Sequence, residues 1–138
     1  MIVRSFQLSD YIPVQELLAD VLSEDCYEET MVAFARQLTL DSELVLVAEI
    51  NQDVVGILIG TIDENNHGYY YRIAVAKEHR HKGIGKALIS KMRQRFELRK
   101  VSKIMVAADI HNQPVLPLYE SLGFTPGESF RTLRIVNG

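Results

Sequence analysis

A chain of 138 residues with 47% hydrophobic and 24% charged side chains has an ordinary globular composition, which excludes a fibrous or low-complexity protein and predicts one domain over 1–138. The single cysteine, Cys26, excludes an internal disulfide and a cysteine-based structural zinc site. No signal-peptide pattern opens the sequence and no apolar run approaches the roughly 18 residues of a membrane span, so we expect a cytoplasmic protein without a membrane partner.

The net charge of −3 is unevenly distributed along the chain. Residues 1–71 carry two basic and thirteen acidic side chains, whereas residues 72–103 carry eleven basic and two acidic ones. A basic block in an otherwise acidic protein favours one local anionic ligand over a nucleic-acid partner, which usually requires a basic domain. The solvated face of a helix would also account for part of this block.

The first elements predicted are a strand and two helices. A weak alternation predicts a strand over 2–6, and Asp10 is suited to cap a helix. That helix has an apolar face made of Val14, Leu17, Leu18, Val21 and Leu22. A second helix is predicted over 29–40, with these residues facing inward: Val32, Ala35 and Leu38 or Leu40.

A hairpin and a further strand follow. The β-branched runs 44–50 and 54–62 flank the turn residues NQD and predict a β-hairpin. A third run, 69–76, begins after the turn ENNHG and predicts another strand.

The second half of the chain predicts a helix over 86–100, a buried strand over 103–110, a short helix over 114–123 and a last strand over 132–136. The resulting order, β-α-α-β-β-β-α-β-α-β, predicts a mixed α/β sheet. Its strand–helix–strand crossover is right-handed and therefore joins parallel strands.

The segment HRHKGIGK, residues 79–86, has the character of a phosphate site but fits neither common nucleotide motif. A Walker A loop requires Ser or Thr where Ala87 stands, and a dinucleotide fingerprint requires a third glycine at Leu88. Gly83 and Gly85 still permit close approach of a ligand to the backbone, and the helix that follows offers unpaired N–H groups to an anion. A tight turn that only seats the helix on the sheet is the alternative.

Arg80 to Gly85, RHKGIG, is similar to the acyl-CoA-binding signature of the GNAT superfamily of N-acetyltransferases: Arg or Gln, two residues, Gly, one residue, Gly or Ala. Upstream, RIAVAKEHR resembles the family's central strand and its short link. Downstream, IHNQPVLPLYESLGF resembles a second family motif, with Asn112, Tyr119 and Leu122–Phe124 at the expected distances. The resemblance implies an N-acetyltransferase domain over 1–138 whose central parallel strands splay apart.

By this resemblance the ligand is acetyl-CoA, the acyl donor, and no metal is needed. Its pyrophosphate would rest on main-chain N–H groups of residues 81–86, and its pantetheine arm would pair with residues 73–75 where the central strand faces 103–110. Without the glycines, residues 73–75 would be an ordinary buried strand. The implied cofactor-binding residues are Ile73, Ala74, Val75, Arg80, His81, Lys82, Gly83, Ile84, Gly85, Lys86 and Asn112.

Two catalytic groups are implied in the same way. The Val75 N–H would polarise the thioester carbonyl, and Tyr119 would protonate the departing CoA thiolate. Asn112 would also serve as a helix cap, whereas the alternative for Tyr119 is a core tyrosine with a satisfied hydroxyl. Tyr71 stands where the family often has a Glu, so the general base is left open between Glu64, His67 and Asp109. Asp109 is favoured among the three because it lies near the splay, and a solvated loop acid is its alternative.

The acceptor is predicted to be an amine near Glu28, Tyr71 and Asp109, the candidate substrate residues. Several acids precede the second helix (Glu24, Asp25, Glu28 and Glu29), which favours a cationic small molecule or a protein lysine or N-terminus, although acids also suit a solvated helix start. The alternative function is a catalytically weak CoA-binding sensor or interaction module. We expect a monomer or a homodimer. His79 and His81 lack further metal ligands nearby in sequence.

Overall fold

The computed structural model describes residues 1–124 and the main chain of 130–131. Its helices and strands, in chain order, are β1 (Ile2–Ser5), α1 (Tyr11–Val21), α2 (Glu24–Asp41), β2 (Val45–Ile50), β3 (Asp53–Ile62), β4 (His67–Val75), α3 (Ile84–Leu98), β5 (Lys103–Ala107), α4 (Leu116–Ser121) and β6 (Phe130–Arg131). Short 3-10 turns cover Leu8–Asp10, Ser42–Leu44, Lys77–His79 and Ile110–Val115.

The strands lie side by side in chain order in one sheet. The pairs from β1 to β4 are antiparallel, whereas β5 runs parallel to both β4 and β6. The predicted mixed α/β sheet and its parallel crossover are therefore confirmed. The last predicted strand, 132–136, lies outside the described residues.

The apolar stripe of α3 holds the helix against the sheet. Ile84, Leu88, Met92 and Phe96 recur every four residues and are all buried, as the sequence predicts. A Cβ on Gly60 would lie 2.8 Å from the Met92 sulfur, and one on Gly68 would lie 2.9 Å from the Phe96 ring. Glycine at these two strand positions therefore lets α3 approach the sheet closely.

The second helix, α2, differs from its prediction in its first residue and in which of its faces is buried. It begins at Glu24, because Ser23 caps it by accepting a hydrogen bond from the Cys26 N–H. Val32 and Leu40 are 66% and 59% exposed and Ala35 is exposed, so these predicted inward positions are wrong. Leu38 is half-buried and packs against the core, as predicted. The buried face is Cys26, Thr30, Phe34 and Gln37. The prediction missed this face because half of it is polar; the Gln37 amide is satisfied by the Asp41 carbonyl at 2.9 Å.

Asp10 precedes α1 as expected, but its carboxylate does not cap that helix. It accepts two hydrogen bonds from the Arg4 guanidinium, at 2.8 and 2.9 Å, and one from the Gln7 N–H at 2.7 Å. The buried carboxylate thus ties the start of α1 to β1.

The predicted hairpin is confirmed. Asn51 and Gln52 have φ values of 51° and 71°, and positive φ at both central residues is the geometry of a type I′ turn. Within the described part of the chain, none of the helices has the length and apolar character needed to cross a bilayer.

Asp10→Asn tests the link between β1 and α1. The hydrogen bonds from Arg4 hold the pKa of the Asp10 carboxyl below its ordinary value. Its contribution to stability is therefore complete above the ordinary pKa of about 3.9 and is lost as the pH falls through the lower folded pKa. We expect Asp10→Asn to lower the free energy of unfolding by about 1–3 kcal/mol at pH 7, with a smaller deficit near pH 3.

Urea unfolding of the wild type and the variant across this pH range measures the difference. The exposed Asp20 on α1 makes no described contact, so Asp20→Asn is the control and should change little at either pH. An Asp10→Asn deficit that is the same at pH 7 and pH 3 would contradict the prediction.

Candidate active site

The parallel pair β4–β5 opens part-way along its length. Its ladder runs from His67 opposite Lys103 to Tyr70 opposite Val106 and then stops, whereas β4 continues to Val75 and β5 ends at Ala107. The register between β3 and β4 shifts where Ile59 faces Arg72 and Gly60 faces Tyr70, so Tyr71 is an extra, bulged residue. The predicted splay of the central parallel strands is therefore confirmed.

The bulge also decides which side chains reach which helix. In a regular strand Tyr70 and Arg72 would point to the same face of the sheet. Here the Tyr70 hydroxyl donates to the Ile89 carbonyl of α3 at 3.4 Å, whereas Arg72 Nε donates to Thr30 Oγ1 of α2 at 2.9 Å. One inserted residue therefore turns a charged side chain toward α2 at the mouth of the opening.

Asn112 spans the gap where the two strands part. Its Nδ2 donates to the Tyr71 carbonyl of β4 at 2.9 Å and to the Ala107 carbonyl of β5 at 2.7 Å. Its Oδ1 accepts from Arg72 Nη1 at 2.8 Å. The side chain is 2% exposed, so a single amide replaces the missing ladder bonds in a dry environment.

Arg72 is the central charge of this region and is fully buried. Its guanidinium donates to Asp109 Oδ1 at 3.1 Å and lies 3.7 Å from Glu29 Oε2. Burial lowers the pKa of Arg72, but the hydrogen bond and the charge of Asp109 outweigh it, so the pKa lies above its ordinary value. The guanidinium is therefore permanently charged and held by two carboxylates.

Main-chain N–H groups of β4 point into the opening. The Ala76 N–H donates to the Val55 carbonyl of β3 at 2.8 Å. Hydrogen-bonded pairs alternate with non-bonded pairs in an antiparallel ladder, so Ile73 and Val75 stand in positions that are not bonded to β3. Their N–H groups face the edge from which β5 has parted, and they make no hydrogen bond within the described residues.

A cavity of about 930 Å³ occupies the opening. This volume is within the range typical of small-molecule sites. Its walls come from β4, the 79–86 segment, the 110–115 turn, Leu118 of α4 and the junction of α1 with α2. It brings together all the predicted cofactor-binding residues except Lys82, namely Ile73, Ala74, Val75, Arg80, His81, Gly83, Ile84, Gly85, Lys86 and Asn112.

The start of α3 presents unpaired N–H groups to this cavity. The first intrahelical bond is from Ala87 to the Gly83 carbonyl, so the N–H groups of residues 84–86 have no main-chain or side-chain partner among residues 1–124. His81 and Gly83 have φ values of 63° and 82°, in the left-handed region, which turns the chain sharply ahead of the helix. A helix start with this charge and geometry suits an anion.

Gly83 and Gly85 are required for different physical reasons. A Cβ on Gly83 would meet no atom within 4 Å, so its side is open to the cavity, and its φ of 82° favours glycine. A Cβ on Gly85 would lie 3.0 Å from Leu118, so glycine there allows α3 to approach α4. Lys82, which does not line the cavity, places Nζ 3.5 Å from Nδ1 of His79.

Tyr119 lies behind the cavity and does not line it. The side chain is 1% exposed and packs against Tyr70 and Phe124, with ring centroids 5.5 and 5.9 Å away. Burial raises the pKa of Tyr119 far above its ordinary value, so the phenol keeps its proton at any working pH.

The three candidate substrate residues are placed differently. Glu28 is exposed on α2 and does not line the cavity. Tyr71 is buried, and its hydroxyl accepts a hydrogen bond from Arg72 at 3.4 Å. Asp109 bonds to Arg72 and accepts from the main-chain N–H groups of His111 and Asn112, at 2.9 and 3.2 Å.

Sequence reasoning missed the pairing of Glu29 with His111. His111 lines the cavity, and its Nε2 lies 3.2 Å from Oε2 of Glu29. The position of His111 directly before Asn112 could have indicated that His111 lies at the site. No sequence pattern links it to Glu29, which stands 82 positions earlier on α2. In residues 1–124, no three His, Cys, Asp or Glu side chains are grouped to hold a metal ion.

Comparison with known proteins agrees with this geometry. The family model described as "Acetyltransferase (GNAT) family" matches residues 11–124. The chain belongs to the GNAT acetyltransferase family. A Yersinia pestis (strain Pestoides F) protein named "Acetyltransferase" is 30% identical over 129 residues, which is 90% of this chain and 87% of the relative. The resemblance stated from the sequence and the enzyme class it implied are thereby confirmed.

Two solved structures share the fold. One is a PaiA N-acetyltransferase from Thermoplasma acidophilum in complex with coenzyme A, with a TM-score of 0.71, 18% identity and coverage of 90% of this chain and 89% of that chain. The other is a ribosomal-protein-alanine N-acetyltransferase from Brucella melitensis, with a TM-score of 0.72, 21% identity and coverage of 91% and 85%. The GNAT fold predicted from the sequence is therefore confirmed, while the acceptor is not fixed by these likenesses.

Asn112→Ala tests the bridge between the strands. The variant leaves two buried carbonyl oxygens without a donor and removes an acceptor from Arg72, so we expect a loss of about 3 kcal/mol in the free energy of unfolding. The adjacent Gln113 is exposed and its side chain makes no described contact, so Gln113→Ala should stay within about 0.5 kcal/mol of the wild type. Urea unfolding at pH 7 compares them, and equal stability of the two variants would refute the structural role given to Asn112.

Proposed function

We propose that this GNAT protein transfers the acetyl group of acetyl-CoA to an amine, by direct attack while both substrates are bound. The observation that carries the proposal is one cavity lined by two sets of unpaired main-chain N–H groups. Those at the start of α3 suit a diphosphate, and those of Ile73 and Val75 suit a carbonyl oxygen. Acetyl-CoA carries both groups on one molecule.

The phosphate end of the donor belongs at the 79–86 segment. Free N–H groups of residues 84–86 are complementary to a pyrophosphate, and the open side of Gly83 lets it come close to the backbone. Arg80 and Lys86 line the same wall and add positive charge, while Lys82 lies outside it and acts through its charge alone.

The thioester end belongs in the opening of β4–β5. The pantetheine arm would use the Ile73 N–H as an added strand would, over the small side chain of Ala74. The Val75 N–H would then bond the thioester oxygen, which gains negative charge as the amine attacks. Acetyl-CoA supplies the electrophilic carbonyl carbon; the protein supplies position and a hydrogen-bond donor.

Tyr119 is the proposed proton donor to the CoA sulfur. Burial raises the pKa of Tyr119, so the phenol is protonated in the resting enzyme and holds a proton for the sulfur as the C–S bond breaks. Because the ring lies behind the cavity wall, the transfer requires a water or a small shift of the wall. Its packing against Tyr70 fixes the ring for either route.

The acceptor side is bounded by α2 and the 110–115 turn. Glu29 is half exposed beside the cavity wall, which supports a cationic acceptor such as a small polyamine or a basic side chain. Glu28, Tyr71 and Asp109 stay predictions as substrate contacts. A cytoplasmic location, the absence of a nucleic-acid partner, and a monomeric or homodimeric state also stay predictions.

A CoA-binding sensor without turnover is the second candidate, because Arg72 and Tyr71 occupy the stretch of β4 where a carboxylate base is frequent in the family. The two functions are separated by a thiol-release assay over a panel of primary amines, with acetyl-CoA binding measured in parallel by calorimetry. Turnover of any amine above the uncatalysed rate supports the transferase. Acetyl-CoA binding with no turnover across the panel supports the sensor.

Gly83→Glu tests the donor site. A carboxylate placed beside the N–H groups of residues 84–86 repels a diphosphate, and the left-handed backbone adds about 1–2 kcal/mol of strain. We expect acetyl-CoA affinity to fall at least about tenfold, the equivalent of 1.4 kcal/mol. Gln94→Glu adds the same charge to an exposed, contact-free position on α3 and should leave the affinity unchanged. Wild-type affinity in folded Gly83→Glu would contradict the site.

Tyr119→Phe tests the proton donor. Because Tyr119 does not line the cavity, the variant should keep the acetyl-CoA dissociation constant while kcat falls by about 10- to 100-fold. Steady-state kinetics on an amine that the wild type turns over gives the comparison. An unchanged kcat would remove Tyr119 from the mechanism and leave its role in core packing.

A further inference from the structure

We propose that His111 is the general base that removes the proton from the acceptor ammonium, and that Glu29 positions its ring and stabilises its charged form. The proposal rests on the transferase function and assigns the one chemical step for which the sequence left several groups open. The observation behind it is that the turn after β5 places an imidazole in the cavity wall, where the second turn of α2 brings a carboxylate beside it.

The position of His111 is fixed at both its main chain and its ring. Its N–H donates to Asp109 Oδ1 at 2.9 Å, which anchors the residue at the start of the 110–115 turn. Its Nε2 lies 3.2 Å from Oε2 of Glu29, while Nδ1 has no hydrogen-bond partner among residues 1–124. A ring that lines the cavity, is partly exposed and has one nitrogen 3.2 Å from a carboxylate oxygen suits the role of an oriented base.

The charged groups around His111 come from three elements. Glu29 of α2 lies beside its ring, Asp109 accepts from its main-chain N–H, and both carboxylates contact the Arg72 guanidinium of β4. Tyr71 also adjoins Arg72, and burial raises the pKa of Tyr71, so its phenol is neutral. Two carboxylates and one guanidinium therefore lie around the ring, and this excess of negative charge is complementary to an imidazolium formed during the reaction.

The other candidate bases are less well placed. Asp109 does not line the cavity, and its Oδ1 already accepts hydrogen bonds from Arg72 and from two main-chain N–H groups. His67 begins β4, eight residues and about 25 Å of extended chain from Val75, and pairs with Asp63. Glu64 belongs to the turn that precedes His67, at the same distant end. His79 and His81 lie at the phosphate end of the cavity.

Each proton of the acetyl transfer is accounted for when His111 is the base. One proton passes from the acceptor ammonium to Nδ1 of His111, directly or through one water, and frees the nitrogen lone pair. That pair forms the C–N bond, the C–S bond breaks, and its electrons go to the CoA sulfur. The second nitrogen proton leaves as the amide forms and passes through water to the phenolate oxygen of Tyr119, which replaces the proton that Tyr119 gives to the sulfur. His111 releases its own proton to solvent through its exposed edge.

The test uses an amine that the wild type acetylates and measures kcat/KM against pH together with acetyl-CoA affinity. We expect His111→Gln to lower kcat by about 10²-fold or more with the acetyl-CoA dissociation constant unchanged, and to remove the acid limb of the profile. Added imidazole should restore part of the rate to His111→Ala and none to Tyr119→Phe, a difference that a merely structural role would not produce.

Glu29→Gln is the positioning variant. It keeps the size of the side chain but removes the charge that stabilises the imidazolium, so we expect a smaller loss in kcat and a shift of the acid limb to lower pH. Glu16→Gln removes an exposed, contact-free carboxylate from α1 and serves as the control, with a wild-type profile expected.

The outcomes separate this proposal from the function on which it depends. If the wild type turns over an amine and folded His111→Gln has the same rate and the same acid limb, His111 is not the base. The transferase function then still stands. Acetyl-CoA binding without wild-type turnover of any amine overturns the transferase and the base with it. A third outcome is that His111→Ala loses rate that imidazole does not restore while Glu29→Gln keeps the wild-type pH profile of kcat/KM. That combination overturns the assignment of His111 as base and Glu29 as its positioning residue.

Discussion

The whole site depends on one buried amide, Asn112, which holds two strands at the point where they stop pairing. Parallel strands that part leave main-chain groups without partners, and each such group is costly in a dry interior. Asn112 satisfies the Tyr71 and Ala107 carbonyls at the fork, the point where β4 and β5 part. Strand β4 can therefore continue to Val75 without β5 beside it. The N–H groups beyond the fork stay without protein partners and are available to hydrogen-bond a ligand. The parting of the strands therefore creates a binding edge.

Arg72 connects that fork to the acceptor side. The bulge at Tyr71 turns Arg72 toward α2, where its guanidinium meets Thr30, Glu29 and Asp109. A buried arginine is tolerated only with such partners, because an unpaired charge in the interior is strongly destabilising. The same partners orient His111, since Asp109 anchors its main chain and Glu29 faces its ring. One network therefore stabilises the fork and arranges the groups beside the cavity.

The sequence predicted what depends on local pattern. The spacing of Ile84, Leu88, Met92 and Phe96 predicted α3 and its buried face, and the NQD turn predicted the hairpin. The inward face of α2 was mispredicted because Thr30 and Gln37 are polar and are buried only by tertiary contacts. For the site, the glycine spacing identified the cavity wall, but the bulge at Tyr71 and the contact of Glu29 with His111 depend on register and long-range packing, which no local spacing encodes.

Amide hydrogen exchange followed by NMR, with and without coenzyme A, tests the central claim most directly. If the opened edge of β4 and the start of α3 hold the donor, saturating coenzyme A should slow exchange at Val75 and at residues 84–86, while the paired residues of β2 stay as they were. Tight binding of coenzyme A with unchanged exchange at both segments would contradict the account, because it would place the donor elsewhere on the molecule.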